Sequence, residues 1–171
     1  KAEVASLFGI ANVLWYKSYN DKSLLDEVSK TLDRVDIIHK EQNKISENIN
    51  VNLFRGGIHE RKEEYLEAID YTNKALEIAK KLESKNSIAA CLSQLSDMYR
   101  SMGDYKKVED LLKETMEIDK ILDNKKALGH TYNSFGSLYF LMAKYDDALD
   151  FEKKQLDICL DIGDVLSLIH I

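Results

Sequence analysis

The feature that most constrains this chain is an internal repeat with a step of forty residues. One column of the repeat is aromatic and contains Tyr65, Tyr105 and Tyr145. A second column contains Ile38, Ile78, Ile118 and Ile158. Within each copy, apolar residues recur every three or four positions, which is the spacing of one helical face. Each copy therefore indicates two helices joined by a turn, and such a hairpin needs neighbours to cover its apolar face.

Two consecutive copies share a pattern of large, small and aromatic residues around the turn. In the third copy the pattern consists of Leu95, Ser96, Tyr99, Gly103 and Tyr105. In the fourth copy it consists of Phe135, Gly136, Tyr139, Ala143, Tyr145 and Ala148. This pattern resembles the tetratricopeptide repeat. The resemblance implies an all-α fold, a right-handed superhelical solenoid of antiparallel helix pairs, with about four repeats plus the start of a fifth.

We expect a single domain over residues 1–171, because a solenoid of stacked hairpins has no central core to outgrow. The predicted repeats cover residues 3–40, 44–82, 86–122 and 126–162, and a further helix covers residues 164–171. The chain has no proline, and its step exceeds the usual one of about thirty-four residues, so it looks like the long-repeat branch of the family. Because the chain lacks an initiating methionine, we expect a fragment of a longer protein.

Four positions depart from the family's pattern. Arg55 and His59 stand where leucine and tyrosine are usual. Tyr16 occupies the small-residue column of the first copy, and Val108 replaces an alanine. We expect the aromatic columns to be core rather than a platform for stacking bases, since they coincide with the family's packing positions. These columns contain Tyr65, Tyr99, Tyr105, Tyr139 and Tyr145.

The formal net charge of −6 argues against a nucleic-acid backbone as the main partner, because no basic excess is available to displace counterions. No apolar run is long enough to cross a bilayer, and residues 1–11 are amphipathic rather than signal-like. We therefore expect a cytoplasmic protein without membrane insertion. Cys91 and Cys159 lie in different columns, which favours buried reduced thiols over a disulfide.

Sequence signals for catalysis and nucleotide binding are weak. Gly56 and Gly57 lack the spacing and the following lysine of a phosphate-binding loop, so we expect no nucleotide cofactor. Asp146 and Asp147 are adjacent and point in different directions on a helix. Stabilisation of a helix start explains this pair better than acid–base catalysis does, so we expect no catalytic residues.

Sequence signals for a metal are equally weak. The stretch from His59 to Glu63 lacks the second histidine of a helical zinc site. His130 and His170 lie one repeat step apart and could stack as a pH-sensitive or metal-binding pair. The earlier copies carry Asn50 and Ala90 in this column, which favours an unspecialised position. We therefore expect no metal.

The resemblance also implies where a ligand would bind. In this family the first helices of the repeats line the concave side of the superhelix, and ligands lie in that groove. The peptide-binding candidates are Lys17, Asn50, Leu53, Ser93, Asp97, Arg100, His130, Asn133, Ser137 and Phe140. Asparagine and serine can hydrogen-bond a peptide backbone, while leucine and phenylalanine can hold an apolar side chain.

One specialised ligand is disfavoured. Chaperone-binding members of the family hold a terminal carboxylate with a clamp of lysine, asparagine and arginine. The corresponding columns carry Val13, Lys17, Phe54, Ala90 and Gln94, so that clamp is missing.

We therefore expect a non-catalytic interaction module that binds a peptide or helical segment of a partner protein. Two alternatives stay open. In one, the repeats are a sensor domain in which a short peptide changes the pitch of the superhelix and so controls an attached effector domain. In the other, they are a structural spacer or an oligomerisation domain that self-associates through the C-terminal helix.

Overall fold

The computed structural model describes residues 2–41 and 48–163, and every regular element in these ranges is an α-helix. The helices are α1 (Ala2–Lys17), α2 (Leu24–Glu41), α3 (Asn48–Arg61), α4 (Tyr65–Lys81), α5 (Lys85–Ser101), α6 (Tyr105–Ile121), α7 (Lys125–Leu141) and α8 (Tyr145–Ile162). The all-α prediction is confirmed. The predicted start of the second repeat at residue 44 and the predicted helix over residues 164–171 lie outside the described residues.

The chain divides into two compact units, Lys1–Ser87 and Ile88–Ile171. In the first unit, α1 packs against α2, α2 against α3, and α3 against α4. In the second unit, α7 packs against both α6 and α8. The single domain over residues 1–171 stays a prediction.

The central helices follow a half-repeat of twenty residues. Helices α4, α5, α6 and α7 each contain 17 residues. Turns of three residues join them, so successive helices begin at Tyr65, Lys85, Tyr105 and Lys125. Two half-repeats give the forty-residue step that the sequence shows.

A single backbone form makes the turns from Lys62 onward. The middle residue of each described turn has a positive φ, between 49° and 78°, and these residues are Glu63, Glu83, Gly103, Asp123 and Ala143. The N–H of the next residue donates to the carbonyl five positions earlier, as from Lys144 to Tyr139 at 2.9 Å. This Schellman arrangement satisfies carbonyls that a helix end leaves unpaired. The sequence prediction of this turn at Gly103 is confirmed.

Polar side chains then begin some of the following helices. The Asp104 side chain accepts a hydrogen bond from the backbone N–H of Lys107, which confirms its predicted role as a cap. The Asn124 side chain caps α7 in the same way, through the N–H of Ala127. Such caps satisfy backbone donors that the first helical turn cannot pair internally.

The first repeat has a different turn. It covers the six residues from Ser18 to Ser23, and the Asp21 carboxylate accepts hydrogen bonds from both the N–H and the hydroxyl of Ser23. Tyr16, at the end of α1, is exposed. The tyrosine in the small-residue column therefore points outward. Helix α1 also ends four residues earlier in its repeat than α3, α5 and α7 do in theirs.

The first unit has an apolar core made by α1, α2 and α3. Its buried members are Val4, Leu7, Ala11, Leu25, Val28, Leu32, Val35, Val51 and Ile58. Phe8, Trp15 and Phe54 pack against this core, and the Trp15 and Phe54 rings meet edge to face at 5.9 Å. Burial of each large apolar side chain contributes about 1.5–3 kcal/mol to stability.

Two departures from the family pattern find charged partners in the first unit. Arg55 on α3 donates to Asp33 and Asp36 on α2, at 2.7 and 2.9 Å. Its guanidinium also lies 5.7 Å from the centre of the Tyr71 ring. The His59 ring stacks on the same tyrosine at 5.2 Å. Charge pairing and stacking thus replace the apolar contacts that leucine and tyrosine would make at positions 55 and 59.

Arg61 joins α3 to the end of α1. Its guanidinium lies 3.4 Å from the centre of the Trp15 ring and 3.8 Å from that of Tyr19. The same group donates to the Trp15 carbonyl at 2.8 Å and to the Ser18 hydroxyl. Cation–π attraction is strongest where the cation is shielded from water, so this partly buried contact fixes the irregular end of α1.

The second unit has an aromatic core. Phe135 on α7 is 1% exposed, and its ring stacks on Phe151 of α8 at 4.6 Å. Tyr139 stacks on the same Phe151 ring at 5.6 Å. The buried members of this cluster are Val108, Leu112, Phe135 and Leu138, with Tyr99, Tyr105 and Tyr139 packed against them.

One predicted core residue is wrong. Tyr145 is 62% exposed, whereas its counterparts Tyr65 and Tyr105 are partly buried. Tyr105 packs against the apolar cluster of the second unit, while the Tyr145 ring meets the exposed Phe140 ring, edge to face at 5.7 Å. The column places the tyrosine correctly at the start of its helix, but it does not determine how deeply the side chain is buried.

The cysteines behave as predicted. Cys91 and Cys159 are both buried and free. Burial raises the pKa of the Cys91 thiol to about 11, because the interior disfavours the charged thiolate. Cys91 is therefore an inert apolar residue at neutral pH.

Candidate peptide-binding groove

Three of the predicted ligand-binding residues belong to the first unit. Lys17 lies exposed at the end of α1, and Asn50 lies exposed in the first turn of α3. Leu53, also on α3, is partly buried. Their part in binding stays a prediction.

The other seven candidates belong to α5 and α7 of the second unit. Ser93 and His130 are exposed. Asn133 is also exposed, but its amide donates to Gln155 on α8 at 3.1 Å. Asp97 accepts a hydrogen bond from Arg100 at 2.7 Å, within α5. Three of these four side chains are thus exposed and Asp97 is partly buried, and their part in binding stays a prediction.

The remaining three candidates meet in one groove. Arg100 of α5 and Ser137 and Phe140 of α7 line a cavity of about 670 Å³. We call this cavity the α7–α8 groove, and its full lining is Arg100, Gly136, Ser137, Phe140, Leu141, Tyr145, Ala148, Leu149 and Glu152. The first helix of the last described repeat therefore contributes one wall, and α8 contributes the other.

The groove is walled by exposed apolar side chains. Phe140, Leu141, Tyr145 and Leu149 are 64%, 50%, 62% and 54% exposed. Isolated exposed apolar residues are normal on protein surfaces, but four of them around one concavity form a contiguous patch. Such patches commonly mark sites where another molecule binds.

Two charged groups frame this apolar surface. The Arg100 guanidinium is paired with Asp97, and burial raises the pKa of the Asp97 carboxyl while Arg100 partly opposes that rise. The Glu152 side chain lies against Gly136, where an added Cβ would collide with the carboxylate. Glycine at position 136 therefore leaves room for an acidic group in the groove wall.

Comparison with known proteins finds a family model that matches part of the chain. Residues 47–121, which run from α3 to α6, match the model of the tetratricopeptide repeat family. No curated protein sequence gives a significant match. Tetratricopeptide repeats generally form non-catalytic protein-interaction domains or regulatory sensor domains.

Solved tetratricopeptide repeat structures have the same fold. A Rap protein complexed with competence and sporulation factor is 20% identical, with a TM-score of 0.84 over 98% of this chain and 45% of its own. Aspartyl phosphate phosphatase F from Bacillus subtilis is 15% identical, with a TM-score of 0.86 over 98% of this chain and 43% of its own.

A third similar structure is much longer than this chain. It is a signal transduction ATPase with numerous domains and a tetratricopeptide repeat sensor, from Pyrococcus horikoshii. It is 20% identical, with a TM-score of 0.77 over 95% of this chain and 25% of its own. The chain therefore spans about a quarter of that protein. At these identities the likeness shows the fold alone.

Sequence reasoning missed the part of the groove that lies beyond the first helices. Leu141, Tyr145, Leu149 and Glu152 line it but are not on the concave face that the tetratricopeptide repeat predicts. A signal for two of them was present in the columns. Leu149 corresponds to Glu109 of the preceding repeat, and Glu152 corresponds to Leu112. The apolar and charged positions are therefore exchanged between the two repeats.

A second cavity of about 430 Å³ lies where the α6–α7 turn meets α8. It is acidic, but two of its four aspartates have partners within the repeats. Lys125 donates to Asp161 at 2.5 Å, and the Thr131 hydroxyl donates to Asp119 at 2.7 Å. The described residues contain no group of three or more potential metal ligands, here or elsewhere. This cavity is therefore a less promising ligand site than the α7–α8 groove.

None of the described helices combines the length and the apolar composition that crossing a bilayer requires.

Proposed function

We propose that these repeats form a non-catalytic interaction module that binds a segment of a partner protein in the α7–α8 groove. The observation that carries this proposal is the set of four exposed apolar side chains around one concavity, Phe140, Leu141, Tyr145 and Leu149. Aromatic side chains are typical binding anchors, because they bury a large area at a small cost in side-chain entropy.

The polar groups of the groove suit orientation of a ligand rather than chemistry. Ser137 can donate to a peptide carbonyl or accept from a peptide N–H. Arg100 stands at the rim and is already paired with a carboxylate. The lining contains no cysteine and no histidine, which are common nucleophile and base residues in active sites. A few polar groups in an apolar concavity are typical of a binding site.

The predicted residues of α7 extend the proposed site toward the start of that helix. His130, Asn133, Ser137 and Phe140 follow a spacing of three, four and three residues, which places them along one helical face. A bound segment that begins at Phe140 and runs along α7 would pass Ser137, then Asn133 and His130. On α5, Ser93, Asp97 and Arg100 follow the same kind of spacing.

A regulatory sensor is the second candidate function. It is supported by likeness in fold to the tetratricopeptide repeat sensor of an ATPase and to a Rap protein in complex with a sporulation factor. In this function the same groove would bind a short peptide, and the change would be passed to a domain elsewhere in the protein. Both candidates require that the α7–α8 groove binds peptide.

A random peptide library displayed on phage, panned against the purified chain, tests this requirement. We expect selected peptides to carry apolar or aromatic residues. Phe140→Ala and Leu149→Ala should each weaken binding of the best peptide by about tenfold, the scale of a truncated binding anchor. The matched control is Leu66→Ala, which removes another exposed leucine, on α4 of the first unit.

Urea unfolding of each variant checks that the fold is intact. Selection of no peptide above background would contradict the proposal. Equal affinity for the wild-type chain and the Phe140→Ala and Leu149→Ala variants would contradict it as well, since peptides would then bind somewhere else.

A further inference from the structure

One column of the repeat changes character at the groove. Leu32, Thr72 and Leu112 occupy this column in the first three second helices, and they are 0%, 0% and 2% exposed. One step later the column contains Glu152, which is partly buried and lines the α7–α8 groove. A carboxylate therefore stands in the position that the earlier copies keep uncharged and bury.

The Glu152 carboxylate has no cation of its own among residues 2–41 and 48–163. Its side chain lies against Gly136, and an added Cβ there would be 3.3 Å from Cγ of Glu152. No hydrogen bond or ion pair is formed by this carboxylate within the described chain. Arg100, which lines the same groove, donates instead to Asp97 at 2.7 Å. The groove thus contains one satisfied cation and one unsatisfied anion.

A ligand that covers the groove changes the surroundings of this carboxylate. It removes water from the apolar wall formed by Phe140, Tyr145 and Leu149, and with it the hydration of Glu152. Burying a charge without a partner is strongly unfavourable, whereas a cation with good geometry offsets the loss of water. A purely apolar segment would therefore bind poorly, and a segment that brings a cation would bind well.

We infer that Glu152 selects partner segments in which a lysine or arginine lies among apolar residues. This inference rests on the proposed function, and it names the chemistry of the ligand. The apolar residues of the segment contact Phe140, Tyr145 and Leu149, while its cation pairs with Glu152. The formal net charge of −6 favours approach of such a basic segment over an acidic one.

The peptide library supplies the test when it is panned on three forms of the chain. On the wild-type chain, we expect selected peptides to carry lysine or arginine at one fixed position between apolar residues. On Glu152→Gln, the preference at that position should disappear. On Glu152→Lys, it should change to aspartate or glutamate. Loss of the basic preference without its reversal would still show that the charge of Glu152 sets specificity.

A peptide pair then measures the effect. The best basic peptide and its version with glutamine at the basic position should differ in affinity for the wild-type chain by about tenfold, which is a moderate charge pairing at an interface. For Glu152→Gln the two peptides should bind equally. The matched control is Asp146→Asn, which removes an exposed acid from the first turn of α8, outside the groove lining. If this control also removes the difference, general negative charge explains the preference and the inference is wrong.

These results separate the inference from the proposed function. Selected peptides that depend on Phe140 but show no basic position would overturn the inference alone. Hydrogen exchange should slow in residues 136–152 when the basic peptide is added to the full chain. If no added peptide changes the exchange of those amides, peptide does not bind in the groove. If sedimentation shows a dimer of the wild-type chain and a monomer of Phe140→Ala, a second copy of the chain covers the α7–α8 groove. Either result overturns both proposals.

Discussion

The two units use different chemistry at one equivalent position. Arg55 in the first unit and Phe135 in the second lie two repeat steps apart, in the same column. Arg55 is paired with Asp33 and Asp36, whereas Phe135 stacks on aromatic rings. The residues that correspond to the two aspartates in the second unit are Lys113 and Met116, so no carboxylate stands there to pair with an arginine.

This difference shows what the repeat requires at that column. At this column a large side chain links the first helix of a repeat to a neighbouring second helix. Arg55 links α3 to the preceding α2, and Phe135 links α7 to the following α8. An ion pair can supply that contact, as can an apolar ring, provided that the facing residues match. Stability should nevertheless differ, because burial of apolar area contributes more reliably than a partly exposed ion pair.

The largest expected effect is in the second unit. Phe135→Ala should lower the free energy of unfolding by about 3–5 kcal/mol, because it leaves a cavity in the aromatic core. Urea unfolding followed by far-ultraviolet circular dichroism measures it. Phe140→Ala is the control, since the exposed Phe140 ring contributes little to the fold. Equal losses in the two variants would contradict the assignment of core and groove.

A smaller effect is expected in the first unit from Arg61→Ala. The change removes contacts with the Trp15 and Tyr19 rings and two hydrogen bonds, and should cost about 2 kcal/mol. Trp15 is the only tryptophan, so its fluorescence during urea unfolding reports on the first unit. Lys62→Ala, which removes an ion pair with Asp26, is the matched control and should cost less than about 1 kcal/mol. A Trp15 transition that Arg61→Ala leaves unchanged would count against the contact.

The smallest effect is a gain in stability from Asp119→Asn. Asp119 is buried in the column that contains His39 in the first unit, and burial raises the pKa of its carboxyl. The pKa of Asp119 is higher in the folded state than in the unfolded state. The free energy of unfolding therefore falls as the pH rises from the unfolded-state pKa to the folded-state pKa. The lower stability persists at neutral pH. Asparagine keeps an acceptor for Thr131 and should add about 1 kcal/mol at neutral pH.

The pH dependence provides the check on Asp119. The difference in free energy of unfolding between Asp119→Asn and the wild-type chain should be small below the unfolded-state pKa of Asp119. It should increase as the pH rises above that pKa. A difference that stays constant from acid to neutral pH would mean that packing, rather than charge, explains the effect.

The sequence was sufficient for the helices and most turns, because their signals are local. Gly103 and Asp104 mark one turn directly, and the forty-residue step carries that turn to positions 63 and 143, where no glycine is present. The partners of Arg55 could not be predicted, since Asp33 and Asp36 lie about twenty residues earlier and follow no family pattern. Contacts between helices depend on which side chains face each other. The position of a residue in its repeat column does not identify the residue that faces it on the neighbouring helix.

The groove was predicted only in part for a related reason. Arg100, Ser137 and Phe140 were identified from their columns on the first helices. The column predicts Tyr145 in the core, because Tyr105 packs against the core one repeat earlier, yet the Tyr145 side chain is exposed. The same column comparison contained the change from Leu112 to Glu152, which a search for departures from the repeat would have found.

The uniform turn has a consequence for how such a chain can grow. Helices of 17 residues alternate with three-residue turns of one backbone form, within repeats and between them. A gene duplication that begins and ends at any two of these turns therefore inserts whole helices and preserves the spacing of all the others. Only duplications of an even number of helices also preserve which helices are first and which are second. The array can thus gain or lose a pair of helices in one genetic event without any new junction.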